Sequence, residues 1–79
     1  MLFELTECTV LMLKVIYDMY LGQKISFNEF HSFTETKLQF LSENIGLIDS
    51  EADKEKAYDI IHKCNSLISE ECTNMVFLQ

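Results

Sequence analysis

The residues of this sequence that could do chemistry are three cysteines, two histidines and the acids. The cysteines and histidines are Cys8, Cys64, Cys72, His31 and His62. A zinc site needs four ligands, which usually come from paired spacings such as C-x2-C or H-x3-H. Here the cysteines stand alone along the chain, and the two histidines fall on different predicted helices. We therefore expect no metal site and no cofactor.

The acids beside the histidines do not complete a catalytic group. Asp59 precedes His62 by three residues, and Glu35 follows His31 by one helical turn. Such pairs are common on solvated helix faces, and neither pair has a third group or a pocket that would activate a nucleophile. We therefore expect that the protein is not an enzyme.

The acidic balance of the chain argues against two classes of partner. Thirteen Asp and Glu residues oppose six Lys residues and no Arg, which gives a formal charge of −7. Binding to nucleic acid is driven by Lys and Arg side chains that displace counterions from the phosphates. Anionic membrane surfaces attract the same cationic side chains. We expect neither a direct nucleic-acid partner nor a membrane partner.

Cysteine usage and hydropathy indicate a cytoplasmic protein. Three cysteines without the spacing of a disulfide framework are typical of a reducing compartment. No basic residue precedes Lys14, so we expect no signal peptide. The apolar run from Thr9 to Leu21 is shorter than a bilayer span and contains two charges.

Glycine positions and hydrophobic periodicity divide the chain into three helices. The 79 residues suffice for one helical domain, 1–79, with one core. Gly22 and Gly46 each follow an apolar periodic stretch, where a residue in the left-handed conformation often ends a helix. The predicted helices cover about residues 5–21, 27–45 and 51–72. Short turns make sequential helices antiparallel neighbours, so we predict an all-α fold, a compact three-helix antiparallel bundle.

The start of the second helix carries the strongest local signal. Ser26 is the predicted N-cap and Glu29 its reciprocal partner, while Ile25 and Phe30 form a hydrophobic staple. Ser50 begins a weaker version of the same motif at the third helix.

The second and third helices each have one apolar face. On the third helix it consists of Ala57, Ile60, Ile61, Cys64, Leu67 and Ile68. On the second helix it consists of Phe27, Phe30, Phe33, Leu38, Phe40, Leu41 and Ile45. Lys37 interrupts this second face. Either its stem covers the aromatic rings while its ammonium reaches water or a carboxylate of another helix, or the aromatic–lysine stripe is an edge where a partner docks.

The first helix carries more apolar surface than one small domain easily buries. Its polar strip consists of Glu4, Glu7, Lys14 and Asp18. Leu11 interrupts that strip. Either most of the other apolar residues face the core, or Leu11 and Val15 with their neighbours form an association surface. Thr6 would cap this helix, unless the residues before it extend the helix upstream.

Both chain ends are apolar, with Leu2 and Phe3 at one end and Val76 and Phe77 at the other. Either both ends pack onto the bundle, even onto each other, or one or both of them cover a second subunit or a partner. The sequence leaves open whether the C-terminal residues continue the third helix or add as a strand.

These features favour a non-enzymatic protein–protein interaction module, a small regulator or inhibitor that acts through apolar helical surface and forms a homodimer. The candidate interface residues are Leu11, Lys14, Val15, Asp18, Phe33, Lys37, Phe40, Val76 and Phe77. The alternative is an acidic decoy that occupies the basic site of a nucleic-acid-binding protein. The carboxylates are spread over all three helices, which favours the first function.

Overall fold

The computed structural model describes the backbone of residues 2–77 and the side chains of residues 5–72. Its elements are α1 (Leu2–Leu21), α2 (Phe27–Asn44), a 3-10 turn (Ile45–Leu47) and α3 (Glu51–Phe77). The three helices pack against one another, and the described backbone contains no strand. The predicted all-α three-helix bundle is therefore confirmed.

The helices run up, down and up, so α1 and α3 are parallel to each other. Thr6, near the start of α1, shares a groove with Asp53 of α3, whereas Tyr20, near its end, lies beside Glu71. Burial, and then the charge and hydrogen bond of Glu71, raise the pKa of the Tyr20 hydroxyl. The start of α1 and the end of α3 therefore lie at opposite ends of the bundle. The side chains of the apolar chain ends lie outside the described residues, so the expectation that they pack onto the bundle or onto each other is not tested.

The core lies between the inner faces of all three helices. Its buried apolar residues are Val10, Leu13, Phe30, Leu38, Leu41, Ile48, Ala57, Ile60 and Cys64. The six residues predicted for the apolar face of the third helix are all buried or half-buried. Three threonines are buried too, among them Thr34, whose hydroxyl donates to the main-chain carbonyl of Phe30 at 2.8 Å. Because the carbonyl accepts a hydrogen bond from this hydroxyl, the buried side of α2 holds a polar residue without an unpaired donor.

The helix limits differ from the predicted ones. α1 begins at Leu2, so Thr6 is buried inside the helix and is not its N-cap. α2 ends at Asn44, and the 3-10 turn follows it. α3 continues to Phe77, beyond the predicted end at residue 72, so residues 73–77 extend the helix and do not add as a strand.

The end of α1 is closed by Gln23 and not by Gly22. Gln23 has a φ of 61°, and neither glycine of the chain has a positive φ, so the predicted left-handed glycines are wrong. The Lys24 amide donates to the Met19 carbonyl at 2.8 Å, and the Gln23 amide donates to the Tyr20 carbonyl at 3.0 Å. These two bonds form a Schellman motif. The left-handed position of that motif is held by a residue with a Cβ, which is strained there.

The predicted capping box of α2 is confirmed, and one bond of the weaker motif at α3 is present. Ser26 Oγ accepts a hydrogen bond from the Glu29 amide at 3.1 Å, and Glu29 Oε1 accepts one from the Ser26 amide at 3.0 Å. Ile25, the first residue of the predicted staple, packs against the core. At α3 the Asp53 amide donates to Ser50 Oγ over a longer distance, 3.4 Å.

Candidate interaction surface

The side of α1 that points away from the core is apolar. Leu11, Val15 and Met12 keep 60 %, 58 % and 45 % of their surface accessible. Leu5 and Cys8 are exposed on the same side. We call these five residues the outer face of α1.

The neighbouring helices cover only the opposite side of α1. Val10 and Leu13 are buried in the core there, with Thr6 and Thr9 buried beside them. A surface helix usually has one apolar stripe, directed at the core, and polar residues on the other side. α1 has a second apolar stripe, and this one faces solvent.

The second stripe follows a regular spacing. Its members are Leu5, Cys8, Met12, Val15 and Met19. They are separated alternately by three and four residues, which places them in one line along the helix, the spacing that coiled helix pairs bury between them. Met19 at the end of the line is half-buried, and the line contains no charged residue.

One flank of the outer face borders α3 and is charged. A groove of about 110 Å³ lies on this flank, and its lining includes Leu11 and Lys14 of α1 and Asp53 and Lys56 of α3. Lys14 is half-buried and Asp18 is exposed. The four α1 residues predicted for the interface therefore lie together, with the two charged ones beside the apolar ones.

The other flank of the outer face borders α2 and is aromatic. Leu5 and Thr9 line a groove of about 230 Å³ together with Lys37 and Phe40 of α2. Phe33 is 43 % exposed. Lys37 Nζ donates to the Phe33 carbonyl at 3.0 Å. The ammonium therefore bonds to the main chain of its own helix. Among residues 5–72 no carboxylate forms an ion pair with it, although a carboxylate of another helix was one of the two destinations that the sequence suggested.

The two remaining candidate residues belong to the last turn of α3. The backbone of Val76 and Phe77 is helical, but their side chains lie outside the described residues. The described surface therefore consists of residues from α1 and α2 and the adjoining edge of α3.

The reactive side chains are not assembled into a site in the described part of the chain. No three His, Cys, Asp or Glu residues there lie close enough to hold a metal ion. Burial raises the pKa of the Cys64 thiol to about 11, so the thiol stays protonated and unreactive at neutral pH. The Asp59 carboxylate, which the sequence suggested as a partner of His62, forms an ion pair with Lys63 at 3.0 Å. Within residues 2–77, no helix is both long and apolar enough to cross a membrane.

Sequence reasoning missed three residues of the outer face, Leu5, Cys8 and Met12. It described the first helix by its charged strip and therefore centred the surface on Leu11. The regular three-four spacing of the apolar residues was visible in the sequence and would have identified them.

The described surface is a ridge between two grooves. Such a shape suits contact with another protein better than the enclosure of a small molecule, which needs a concave pocket. The chain matches no family model, no curated protein and no solved structure.

Proposed function

We propose that this protein is a non-enzymatic interaction module, a small regulator or inhibitor that binds another protein through the outer face of α1. The observation that carries the proposal is the accessible apolar stripe on a helix whose opposite side already supplies the core. The proposal involves no nucleic acid, membrane or cofactor.

The energetics of the outer face favour burial against a partner. Complete burial of a Leu, Val or Met side chain is worth about 1.5–3 kcal/mol. Leu11, Val15 and Met12 are adjacent and each keeps roughly half of its surface accessible. A contiguous apolar patch rimmed by charged residues is typical of a protein-binding site, and Lys14 and Asp18 supply such a rim.

The compartment assigned in this proposal is the cytoplasm. All three cysteines, Cys8, Cys64 and Cys72, are free thiols. Free thiols are retained where the environment is reducing. A protein partner in the same compartment, including a second copy of this chain, would have direct access to the outer face of α1.

The test compares two leucines that are equally accessible. Leu11 and Leu47 are both 60 % exposed, but Leu47 belongs to the 3-10 turn and lies outside the outer face. Affinity capture from the source cell is performed with the wild type, Leu11→Glu and Leu47→Glu. We expect a protein that is held by the wild type and by Leu47→Glu and is lost with Leu11→Glu.

The salt dependence of the captured complex separates this function from the acidic decoy. An apolar contact persists in about 1 M salt, whereas a contact between an acidic surface and a basic site is lost steeply as salt rises. Release by salt, with equal capture by all three variants, would contradict the proposed function and favour the decoy.

A further inference from the structure

We propose that a pocket at the C-terminal end of α1 binds a primary amine in its protonated form, an alkylammonium ion with a short apolar stem. No residue of the outer face of α1 lines this pocket, so the inference goes beyond the proposed function. The observations that carry it are the lining of the pocket, the negative charge beside it and the strained backbone of Gln23.

The pocket lies where α1 ends and the chain turns into α2, and α3 borders it. Its volume is about 380 Å³. Apolar or aromatic residues and two polar ones surround it. The described lining residues are Tyr20, Leu21, Gln23, Ile25, Leu67 and Glu71. Pockets for small molecules combine apolar walls with a few polar groups that select the ligand, and this lining has that combination.

Glu71 gives the pocket a negative charge that no lysine neutralises among the side chains of residues 5–72. The two ion pairs in that range lie elsewhere on α3 and involve other acids. Lys24, which falls between two lining residues in the sequence, is exposed and takes part in neither pair. The Tyr20 hydroxyl donates a hydrogen bond to the Glu71 carboxylate, which orients the carboxylate but does not compensate its charge. The complementary ligand is therefore a cation.

The end of α1 adds to the negative potential of the pocket. The carbonyl groups of a last helical turn form the negative pole of the helix dipole, which favours a cation close to that turn. The last turn of α1 contains no basic residue, although basic side chains often occupy this position. Tyr20 and Leu21 belong to that turn and line the pocket. A ligand ammonium there interacts with two separate sources of negative charge.

Gln23 is strained at a position where glycine is the usual residue. Its φ is 61°, in the left-handed region that a side chain with a Cβ disfavours. Backbone strain of this kind is concentrated at functional sites. Gln23 lines the pocket, and a glycine in its place would offer no side-chain oxygen to a ligand. In this proposal the Gln23 amide oxygen is the second acceptor for the ammonium.

The acceptors suit an ammonium better than a guanidinium. An alkylammonium has three donors on one nitrogen, which serve Glu71, Gln23 and water. The planar fork of a guanidinium pairs best with a carboxylate whose two oxygens are both free, whereas Glu71 already accepts the Tyr20 hydroxyl. The apolar stem contacts Ile25 and Leu67, which distinguishes the ligand from an inorganic cation.

The experiment is a titration of the isotopically labelled full chain with n-butylammonium chloride, followed by amide chemical shifts. n-Butanol is the matched probe without a charge, and sodium chloride at the same concentration controls for ionic strength. We expect saturable shifts at Gln23, Leu67 and Glu71 with a dissociation constant on the order of 1 mM, since so small a ligand makes few contacts. Butanol should bind at least about tenfold more weakly.

Two adjacent glutamates provide matched variants. Glu71→Gln removes the charge of the pocket with little change of shape and should weaken butylammonium binding about tenfold. Glu70→Gln makes the same charge change at an exposed position outside the lining and should leave the dissociation constant within about twofold. Gln23→Gly should weaken binding about fivefold while the fold becomes more stable, a combination that a purely structural role of Gln23 would not give.

A second probe distinguishes two sources of the ammonium. Nα-acetyllysine N-methylamide presents a lysine side chain as a protein would. Shifts of the pocket amides by both probes support a lysine side chain as the natural ligand, and shifts by butylammonium alone support a free amine.

Two outcomes would overturn the inference. One is butylammonium that shifts the pocket amides no more than butanol does. The other is a Glu71→Gln variant that keeps its helical circular dichroism and binds butylammonium as tightly as the wild type. Neither outcome bears on the proposed function, whose own test is the loss of a captured protein on Leu11→Glu.

Discussion

The outer sides of α1 and α3 differ although both helices pack on the same core. α3 contributes Ala57, Ile60 and Cys64 to the core, and α1 contributes Val10 and Leu13. On the solvent side α3 carries polar and charged residues, among them Glu55, Asp59, His62, Lys63 and Ser66. Tyr58 is the one exposed large hydrophobic residue recorded on α3 within the side chains described. The solvent side of α1 carries the apolar line from Leu5 to Val15.

The difference shows that the fold does not require an apolar outer side. α3 is stable in the bundle with one apolar face, as is usual for a helix packed on one side. α1 likewise packs on the core through its inner face alone. We infer that stability and binding reside on opposite sides of α1, so substitutions should separate the two properties.

The largest expected effect comes from making the same Leu→Ala substitution on the inner and on the outer side of α1. Leu13→Ala removes a fully buried side chain and should lower the free energy of unfolding by about 2–5 kcal/mol. Leu11→Ala, at an exposed position, should change the stability of the monomer by at most about 0.5 kcal/mol. Urea denaturation at low protein concentration measures both. Equal losses would mean that Leu11 belongs to the core, and the comparison would fail.

The capping box of α2 should affect stability without affecting binding. Ser26→Ala removes the acceptor of the Glu29 amide and should cost about 1 kcal/mol. Ser50→Ala should cost less, because its bond to the Asp53 amide is longer. Denaturation midpoints check both variants. Unchanged midpoints for Ser26→Ala and Glu29→Ala together would remove the capping box from the account.

The end of α1 offers a stabilising change far from the outer face. Gln23 adopts a φ of 61°, which glycine tolerates without the clash of a Cβ. Gln23→Gly should therefore raise the free energy of unfolding by about 0.5–1 kcal/mol, the relief of strain being partly offset by the greater freedom of glycine in the unfolded chain. Thermal unfolding measures the gain, and Gln23→Ala, which keeps a Cβ, is the control. A loss of stability on Gln23→Gly would contradict the strained conformation.

The smallest effect is expected at Lys37. Its ammonium is bonded to the Phe33 carbonyl, and this bond is exposed. Lys37→Met should therefore change stability by no more than about 0.5 kcal/mol, or increase it slightly, as the apolar stem is preserved. Chemical denaturation tests this. A large loss would place Lys37 in a buried polar network and would contradict its exposed bond to Phe33.

Much of the fold follows from local signals that act over a few residues. The reciprocal bonds of Ser26 and Glu29, and the single apolar face of the third helix, could be predicted because spacing alone determines them. Thr34 could not be assigned to the core from its type, since its burial depends on a bond to the carbonyl of Phe30 within the folded helix. The closure of α1 at Gln23 was missed for a similar reason, because glycine is preferred in the left-handed position but not required there.

The candidate surface was predicted in part. The sequence offered exposure of Leu11 and Val15 as one of two possibilities for the first helix, and both residues are exposed. Which of the many apolar residues of α1 face outward depends on where α2 and α3 cover it, and that arrangement is a property of tertiary packing. Leu5, Cys8 and Met12 therefore required the structure, although their spacing could have suggested them.

The mass of the protein in solution shows whether it self-associates through the outer face of α1. Light scattering is performed on the wild type, Leu11→Glu and Leu47→Glu at micromolar concentrations, with circular dichroism to confirm that each is folded. Self-association through this face gives twice the chain mass of 9.2 kDa for the wild type and for Leu47→Glu, and 9.2 kDa for a folded Leu11→Glu. A wild type of 9.2 kDa, or a Leu11→Glu variant that remains a dimer, would contradict self-association through the outer face of α1.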